Sequence, residues 1–473
     1  PATTKFRYPN FTLNADNGNP TAFGAVINLK DGVTSDPTMG VNSAYNNANS
    51  YLMNSYLNQV LPKYNPQLSV IWLRNPDTTE HNYGVGSFAY YSALANQDQL
   101  LGQLITKLKT THQWNHTNLI IVSDHGHSNV SGDVDEFPLR KIESGMVTEV
   151  DNVNGYAVSG DFRPADLLTR GGFKAYDGAG CQYDPILTGI KADGTPVYPT
   201  LYDKSGKVCG GDVKVVDING HRDEDVGIKY NTPSYMVPKV LPNDAVIVAA
   251  NGGSTYFYVP SHDQKLITKL VRFCQSRQEF GAIFVDRRYG NIPGSLPLAQ
   301  VKIQNDQQRN PDVIVSSNYN AEARIMGFNG TEFNSAGSSR GMHGSFSPVD
   351  VHNTLIAYGP DFKRNFVDSL PSGNVDVAPT VAHLLGLSLP NTDGRVLKEA
   401  LVKGGSLSSY AIKVQDFSPK KPATGLIYQQ ATSPDGKDID STKTNYTIHL
   451  QTRTITQDGQ NYSYFDWANA IRY

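Results

Sequence analysis

The stretch Val122-Ser123-Asp124-His125-Gly126-His127 sets a carboxylate beside an imidazole, followed by a glycine that lets backbone approach closely. Such an oxygen and nitrogen pair suits a divalent ion engaged in hydrolysis, although an Asp-His pair equally well serves to hydrogen-bond a loop. Two further groups change the reading. Asp77 and His81, with three residues between them, end the run Asn75-Pro76-Asp77-Thr78-Thr79-Glu80-His81, and His343 sits in Gly341-Met342-His343-Gly344-Ser345. Zinc accepts this mixed oxygen and nitrogen set, and two zinc ions about 4 Å apart clamp a phosphoryl group in line between nucleophile and leaving group. Asp77, His81, Asp124, His125 and His343 are therefore the expected metal ligands, with one of the two sites open to another divalent metal. His127 reads as an imidazole outside that set, His352 as a packed histidine, and Asn251 as part of an Asn-Gly turn.

The elements around these residues explain how they would meet. Leu119-Ile120-Ile121-Val122 is a short β-branched run, so Asp124 lies where a buried strand gives way to a loop. An open α/β sheet places its chemistry there, beyond the carboxyl ends of its strands. Residues 68–73, Leu-Ser-Val-Ile-Trp-Leu, carry the same signal ahead of Asp77. Between them, Ser87 caps an expected helix over residues 88–109, with Leu101, Leu104, Ile105 and Leu108 as its apolar stripe. Strand, helix, strand in that order predicts a right-handed parallel unit, which brings both acid-imidazole pairs to one sheet edge.

Further on, residues 245–250, 282–285, 313–315 and 354–359 read as strands, residues 49–60 and 375–385 as helices, and Ser261 as the cap of another helix. Residues 136–242 lose this periodicity in scattered Gly, Asp, Tyr and Pro and read as an inserted cap. Residues 446–456 alternate before Asp458-Gly459, a hairpin turn. The expected organisation is α/β with a largely parallel central sheet. Residues 1–135 and 243–402 form the two parts of the core, 136–242 the cap, and 403–473 a C-terminal β-hairpin appendage.

Composition narrows the function classes. A net charge of −3, with no block of Lys or Arg, argues against nucleic-acid scaffold binding. No run is long and apolar enough for a membrane span. Cys181 and Cys209 flank a loop-rich region that a disulfide would staple, the alternative being three reduced thiols with Cys274. Asn-x-Ser/Thr sequons at Asn10, Asn115, Asn129, Asn329, Asn445 and Asn461 favour a secreted, extracellular or periplasmic glycoprotein.

Taken together, Asn-Pro-Asp77-Thr-Thr-Glu-His81, Ser-Asp124-His125-Gly, Gly-Met-His343-Gly-Ser and Val375-Asp376-Val377-Ala378-Pro379-Thr380 resemble the alkaline phosphatase superfamily, in its type I phosphodiesterase/nucleotide pyrophosphatase-like branch. The resemblance runs over roughly residues 65–400. It implies a three-layer αβα sandwich and a zinc-dependent phosphodiesterase or phosphatase acting on a small phosphoester. By the same resemblance, Asp77, His81 and His343 hold one zinc, and Asp124 and His125 the other. The family pattern also needs an aspartate and a Ser or Thr nucleophile before Asp77. Asp31 reads as a turn residue, and Thr34, Ser35 and Thr38 follow it too closely to start the required helix. The expectation is therefore the larger C-terminal part of a longer or nicked precursor, with a second polypeptide as partner and Cys274 as a link to it. The rival expectation is a catalytically inactive, metal-binding secreted protein that lacks the nucleophile.

Overall fold

The computed structural model describes residues 43–130, 164–177, 240–304, 308–333, 340–429 and 439–473, together with residue 306 and short pieces elsewhere. The chain divides into two compact units, Pro1–Asn118 and Leu119–Tyr473. It is mixed α/β with several separate sheets.

In the first unit, helix Ser43–Ser55 runs through a wider turn, Tyr56–Val60, into Leu61–Tyr64. The helix expected over residues 49–60 is thus longer, burying Met53, Leu57, Val60 and Leu61. Asn65 stops it in the left-handed conformation, at a φ of 39°, where asparagine is tolerated. Helix Phe88–Thr110 starts where expected because the Ser87 side chain accepts the Tyr90 amide N–H at 3.1 Å. Its buried stripe is Ala93, Leu100, Leu104 and Leu108, so Leu101 and Ile105 lie beside the seam and not in it.

Residues 68–73 depart from expectation. They form no ladder among the described residues, and Val70 and Trp72 are 86% and 79% exposed. Apolar, β-branched sequence favours a strand only when a neighbour takes up its backbone N–H and C=O groups, and among the described residues none does so in a ladder. The strand Leu119–Val122 forms as expected, yet its partner is Leu355–Tyr358, paired antiparallel from Leu119↔Tyr358 to Val122↔Leu355. The parallel strand-helix-strand unit is consequently absent among the described residues.

The second unit is built on a six-stranded sheet. Its strands lie in the order Leu296–Pro297, Phe280–Val285, Val313–Ser317, Ser254–Tyr258, Ala245–Asn251, Lys174–Asp177. The two outermost pairings are parallel and the three inner ones antiparallel, so the sheet is mixed where a largely parallel one was expected. Every residue of Phe280–Val285 and Val313–Ser317 is buried, the apolar run Phe280–Val285 throughout and Val313-Ile314-Val315 together with the two serines that follow it. Helix Gln264–Gln275 covers the sheet with Ile267, Leu270, Val271 and Cys274, spaced i, i+3, i+4, i+7; burial of such side chains stabilises by roughly 2 kcal/mol each. Asp263, not Ser261, caps it by accepting the Lys265 amide N–H at 2.7 Å. Cys274 is a free thiol with no exposed surface, so no sulfur there is open to the intermolecular link expected of it. Helix Val377–Leu384 holds Pro379 in its first turn, as expected.

The C-terminal hairpin, Tyr446–Gln457 with Gln460–Arg472, turns at Asp458 and Gly459, both at positive φ, as Asp-Gly predicts. Tyr446, Ile448, Leu450 and Ala468 enter the main core, and the Tyr446 hydroxyl donates to the Gly281 carbonyl at 2.6 Å. The hairpin therefore contributes to the core of the unit.

Beside it lies a fully buried ion pair. Arg395 meets Glu399 through both guanidinium NH2 groups and also donates to the Pro371 carbonyl at 2.9 Å and the Gln457 side chain at 3.0 Å. Burial and the neighbouring Glu399 charge push the Asp368 carboxyl up to about 6, against the hydrogen bond from Leu370 N–H and the pull of Arg395. A folded-state value above the unfolded one means stabilisation present at low pH and lost as pH rises through about 6. Asp368→Asn is accordingly expected to raise the melting temperature above pH 6 and to lose that advantage below about pH 4; paired melts at pH 4 and 8 check it.

Candidate metal-binding loops

Asp77 and His81 lie on the short helix Asp77–Tyr83, whose start is fixed from outside. Buried Asn75 accepts both the Thr79 amide N–H (3.2 Å) and the Thr79 hydroxyl (2.8 Å), taking up one of the orphan amides of the first turn. Its own amide donates to Asn46 at 2.6 Å, and Arg74 N–H donates to Asn49 at 3.1 Å, so helix Ser43–Ser55 carries the loop. One helical turn then sets Asp77 Oδ1 3.4 Å from His81 Nε2 on a half-exposed face.

In the second unit, Asp124 and His125 leave the end of Leu119–Val122. Asn374 Nδ2 donates to the carbonyls of Ser123 (3.1 Å) and Asp124 (3.0 Å), and Asn353 Nδ2 to that of Ser123 (2.7 Å). Gly126 follows because a Cβ there would stand 1.9 Å from the Val349 carbonyl oxygen; its N–H donates instead to the Asp350 carbonyl at 2.8 Å. Asp124 Oδ1 and His125 Nε2 are 3.6 Å apart.

The His343 loop arrives beside this one. The His343 carbonyl accepts the Gly253 N–H at 2.7 Å, and Gly344 takes a φ of +96°. The rings of His125 and His343 stack with centroids 3.5 Å apart, and a ring nitrogen of each lies within 4.8 Å of one on the other. His127 meets His343 edge-on at 5.3 Å.

One buried carboxylate ties the two loops. Asp350, 3% exposed, accepts the Ser128 hydroxyl at 2.6 Å on one oxygen. On the other it accepts the Ser345 N–H (2.9 Å) and hydroxyl (2.7 Å). Burial pushes its carboxyl up to about 6, while these donors and the neighbouring His125 pull it down. Asp350 was not singled out in the sequence, where its one signal is an acid seven residues after His343, too general to stand out.

These arrangements suit a metal. Tetrahedral zinc with bonds of about 2.0–2.1 Å holds neighbouring ligand atoms about 3.3 Å apart. The separations within Asp77/His81 and within Asp124/His125, 3.4 and 3.6 Å, are close to that value. Each acid-imidazole pair thus has an oxygen and a nitrogen at about that spacing, and His343 stacks on His125, a member of the pair to which it was not expected to belong.

Other expectations meet the structure unevenly. Cys181, Cys209, Asp31, Thr34, Ser35 and Thr38 lie outside the described residues. Asn251 begins a tight Gly252-Gly253 turn, as read, whereas His352 is half-exposed and binds Asp466 at 2.6 Å. Among the sequons, Asn115, Asn329 and Asn461 are exposed, but Asn129 is 1% exposed and inaccessible to a glycan.

Comparison with known proteins bears on the same segments. Residues 8–161 match the sequence profile of the type I phosphodiesterase/nucleotide pyrophosphatase family. The venom phosphodiesterase CdcPDE of Crotalus durissus collilineatus is 35% identical over 101 residues, 21% of this chain and 11% of the relative. Venom phosphodiesterase 2 of Crotalus adamanteus is 39% identical over 74 residues, 15% of this chain and 9% of the relative. The bis(5'-adenosyl)-triphosphatase enpp4 of Xenopus laevis is 32% identical over 73 residues, 15% of this chain and 16% of its own. The matches thus span well under a fifth of these curated relatives. Among solved structures, human ectonucleotide pyrophosphatase/phosphodiesterase 5 aligns at a TM-score of 0.38 with 14% identity, covering 78% of this chain and 66% of that one.

Proposed function

We propose, for a chain that belongs to the alkaline phosphatase superfamily on its type I phosphodiesterase/nucleotide pyrophosphatase branch, the role of a zinc-dependent phosphoester hydrolase. The observation that carries this reading is the pair of Asp/His couples, each with an oxygen and a nitrogen separated as two ligands of one ion are. Asp77, His81 and His343 would hold one zinc, and Asp124 and His125 the other. Bound there, the ions would neutralise charge developing on the phosphoryl group.

The chain's own residues supply the positioning. Asn75 and Asn374 fix the backbones that carry Asp77 and Asp124, and Asp350 fixes the loops of His125 and His343. Preset ligands lose little freedom when an ion arrives. The nucleophile is not assigned to any described residue. In this reading the parts of residues 136–242 outside helix Pro164–Arg170 and strand Lys174–Asp177, which join the core of the sheet unit and not a cap, set substrate choice. An extracellular location accords with the relatives named as venom proteins and with the exposed sequons.

Turnover of bis(p-nitrophenyl) phosphate and of p-nitrophenyl phosphate, before and after chelation, tests the proposal. Turnover of at least one ester that disappears with chelator and returns with zinc is expected. Absence of turnover of both, with metal bound, would favour the non-catalytic metal-binding protein.

A further inference from the structure

A second polar cluster lies in the sheet unit away from the metal-binding loops. Gly253, whose N–H contacts His343, begins strand Ser254–Tyr258; the cluster stands beyond its other end, roughly 15 Å along at the rise of a β-strand. There Asp312, 2% exposed, receives the Val259 N–H on Oδ2 at 2.6 Å. Its Oδ1 receives the Tyr289 hydroxyl and His262 Nδ1, the latter at 3.0 Å. Burial and the bond to Asp312 push the Tyr289 phenol well above its usual range, keeping it a donor.

With Nδ1–H given to the carboxylate, His262 keeps the Nε2 lone pair in the plane of its ring, while Arg288 Nη1, 3.3 Å from Nε2 and 3.4 Å from Nδ1, lies against the ring face. Arg288 is itself held by Asp286 at 3.0 Å. His262 keeps this pose at a φ of +52°, a conformation that non-glycine residues seldom adopt and that tends to be retained at functional sites. Its side chain is half exposed, and it borders a half-open cavity of about 660 Å³, within the range of small-molecule sites.

The cavity walls identify the ligand chemistry. Ile247 and Ala249, two apart on one face of a strand, form apolar walls with Tyr258 and Pro260, which suits a flat ring. Gln308 and Asn310 add carboxamides, which pair with amide edges. Asp312 lines the cavity and places a carboxylate in its wall, which disfavours a second anion there.

We propose that His262, oriented by Asp312, is the anchor of a second small-molecule site. It takes a neutral planar heterocycle bearing an N–H beside a C=O, the edge of a uracil or hypoxanthine ring. The ring N–H donates to His262 Nε2, and the carbonyl accepts from the Gln308 carboxamide, which lines the same cavity. Calorimetric or saturation-transfer titration of the full chain with uracil and hypoxanthine tests this, with benzoate as the anionic control. Saturable binding is expected for at least one lactam, tenfold or more weaker for benzoate. His262→Ala should weaken it at least tenfold, and Ala249→Leu, which fills the cavity, should do the same and serves if His262→Ala does not fold. His125→Ala should leave it unchanged. Absence of saturable binding, binding that survives the His262 or cavity-filling change, or binding abolished by His125→Ala would overturn the assignment.

Discussion

Asp350→Ala is expected to destabilise the sheet unit by about 2–4 kcal/mol. Three donors lose their acceptor at once: the Ser128 hydroxyl, the Ser345 hydroxyl and the Ser345 N–H. A buried donor left unsatisfied costs about 1–3 kcal/mol, and removal of a carboxyl disfavoured by its own burial offsets part of the sum. The loss should appear as a lower urea midpoint at unchanged slope, because the same surface is exposed on unfolding. Asp350→Asn keeps an acceptor oxygen for Ser345, and the Ser128 hydroxyl rotates to accept from the new amide. It is expected to recover at least half of the loss. If Asp350→Ala moved the midpoint by no more than a surface substitution does, about 0.5 kcal/mol, the clamp between the two loops would not be structural.

Turnover should respond still more strongly to His125. His125→Ala is expected to lower diester turnover about a thousandfold, equivalent to about 4 kcal/mol of transition-state stabilisation, a magnitude in keeping with metal-based charge neutralisation. Folding should survive, since the imidazole is a quarter exposed and its ring stacks on another partly exposed imidazole, His343. Far-ultraviolet dichroism and urea midpoint within about 0.5 kcal/mol of the parent would separate lost chemistry from lost structure. Retained turnover in a folded His125→Ala would remove His125 from the ligand set.

Local signals in the sequence translated well where a residue's own neighbours decide the outcome. Ser87 starts its helix, Asp458-Gly459 turns its hairpin, and the apolar runs at 245–250 and 282–285 become buried strands. Residues 68–73 failed because a strand is defined by its partner, which no local pattern names. The pairing of Leu119–Val122 with a strand more than two hundred residues away was hidden for the same reason. At the site, the residues proposed as ligands come from type and spacing, since chemistry restricts which side chains bind a metal. Asp350, Asn75 and Asn374 were not, because what singles them out is burial and the donors that converge on them. Asn129 shows the converse: its sequon is complete, and its burial is visible only in the fold.

The most direct test of the account is the metal content of the native full chain and of His125→Ala, measured by elemental analysis after dialysis against metal-free buffer. The account predicts two divalent ions per parent chain, zinc foremost, and a loss of one of them in the variant. A parent chain that retains no stoichiometric divalent ion, even after incubation with zinc at neutral pH, would contradict it.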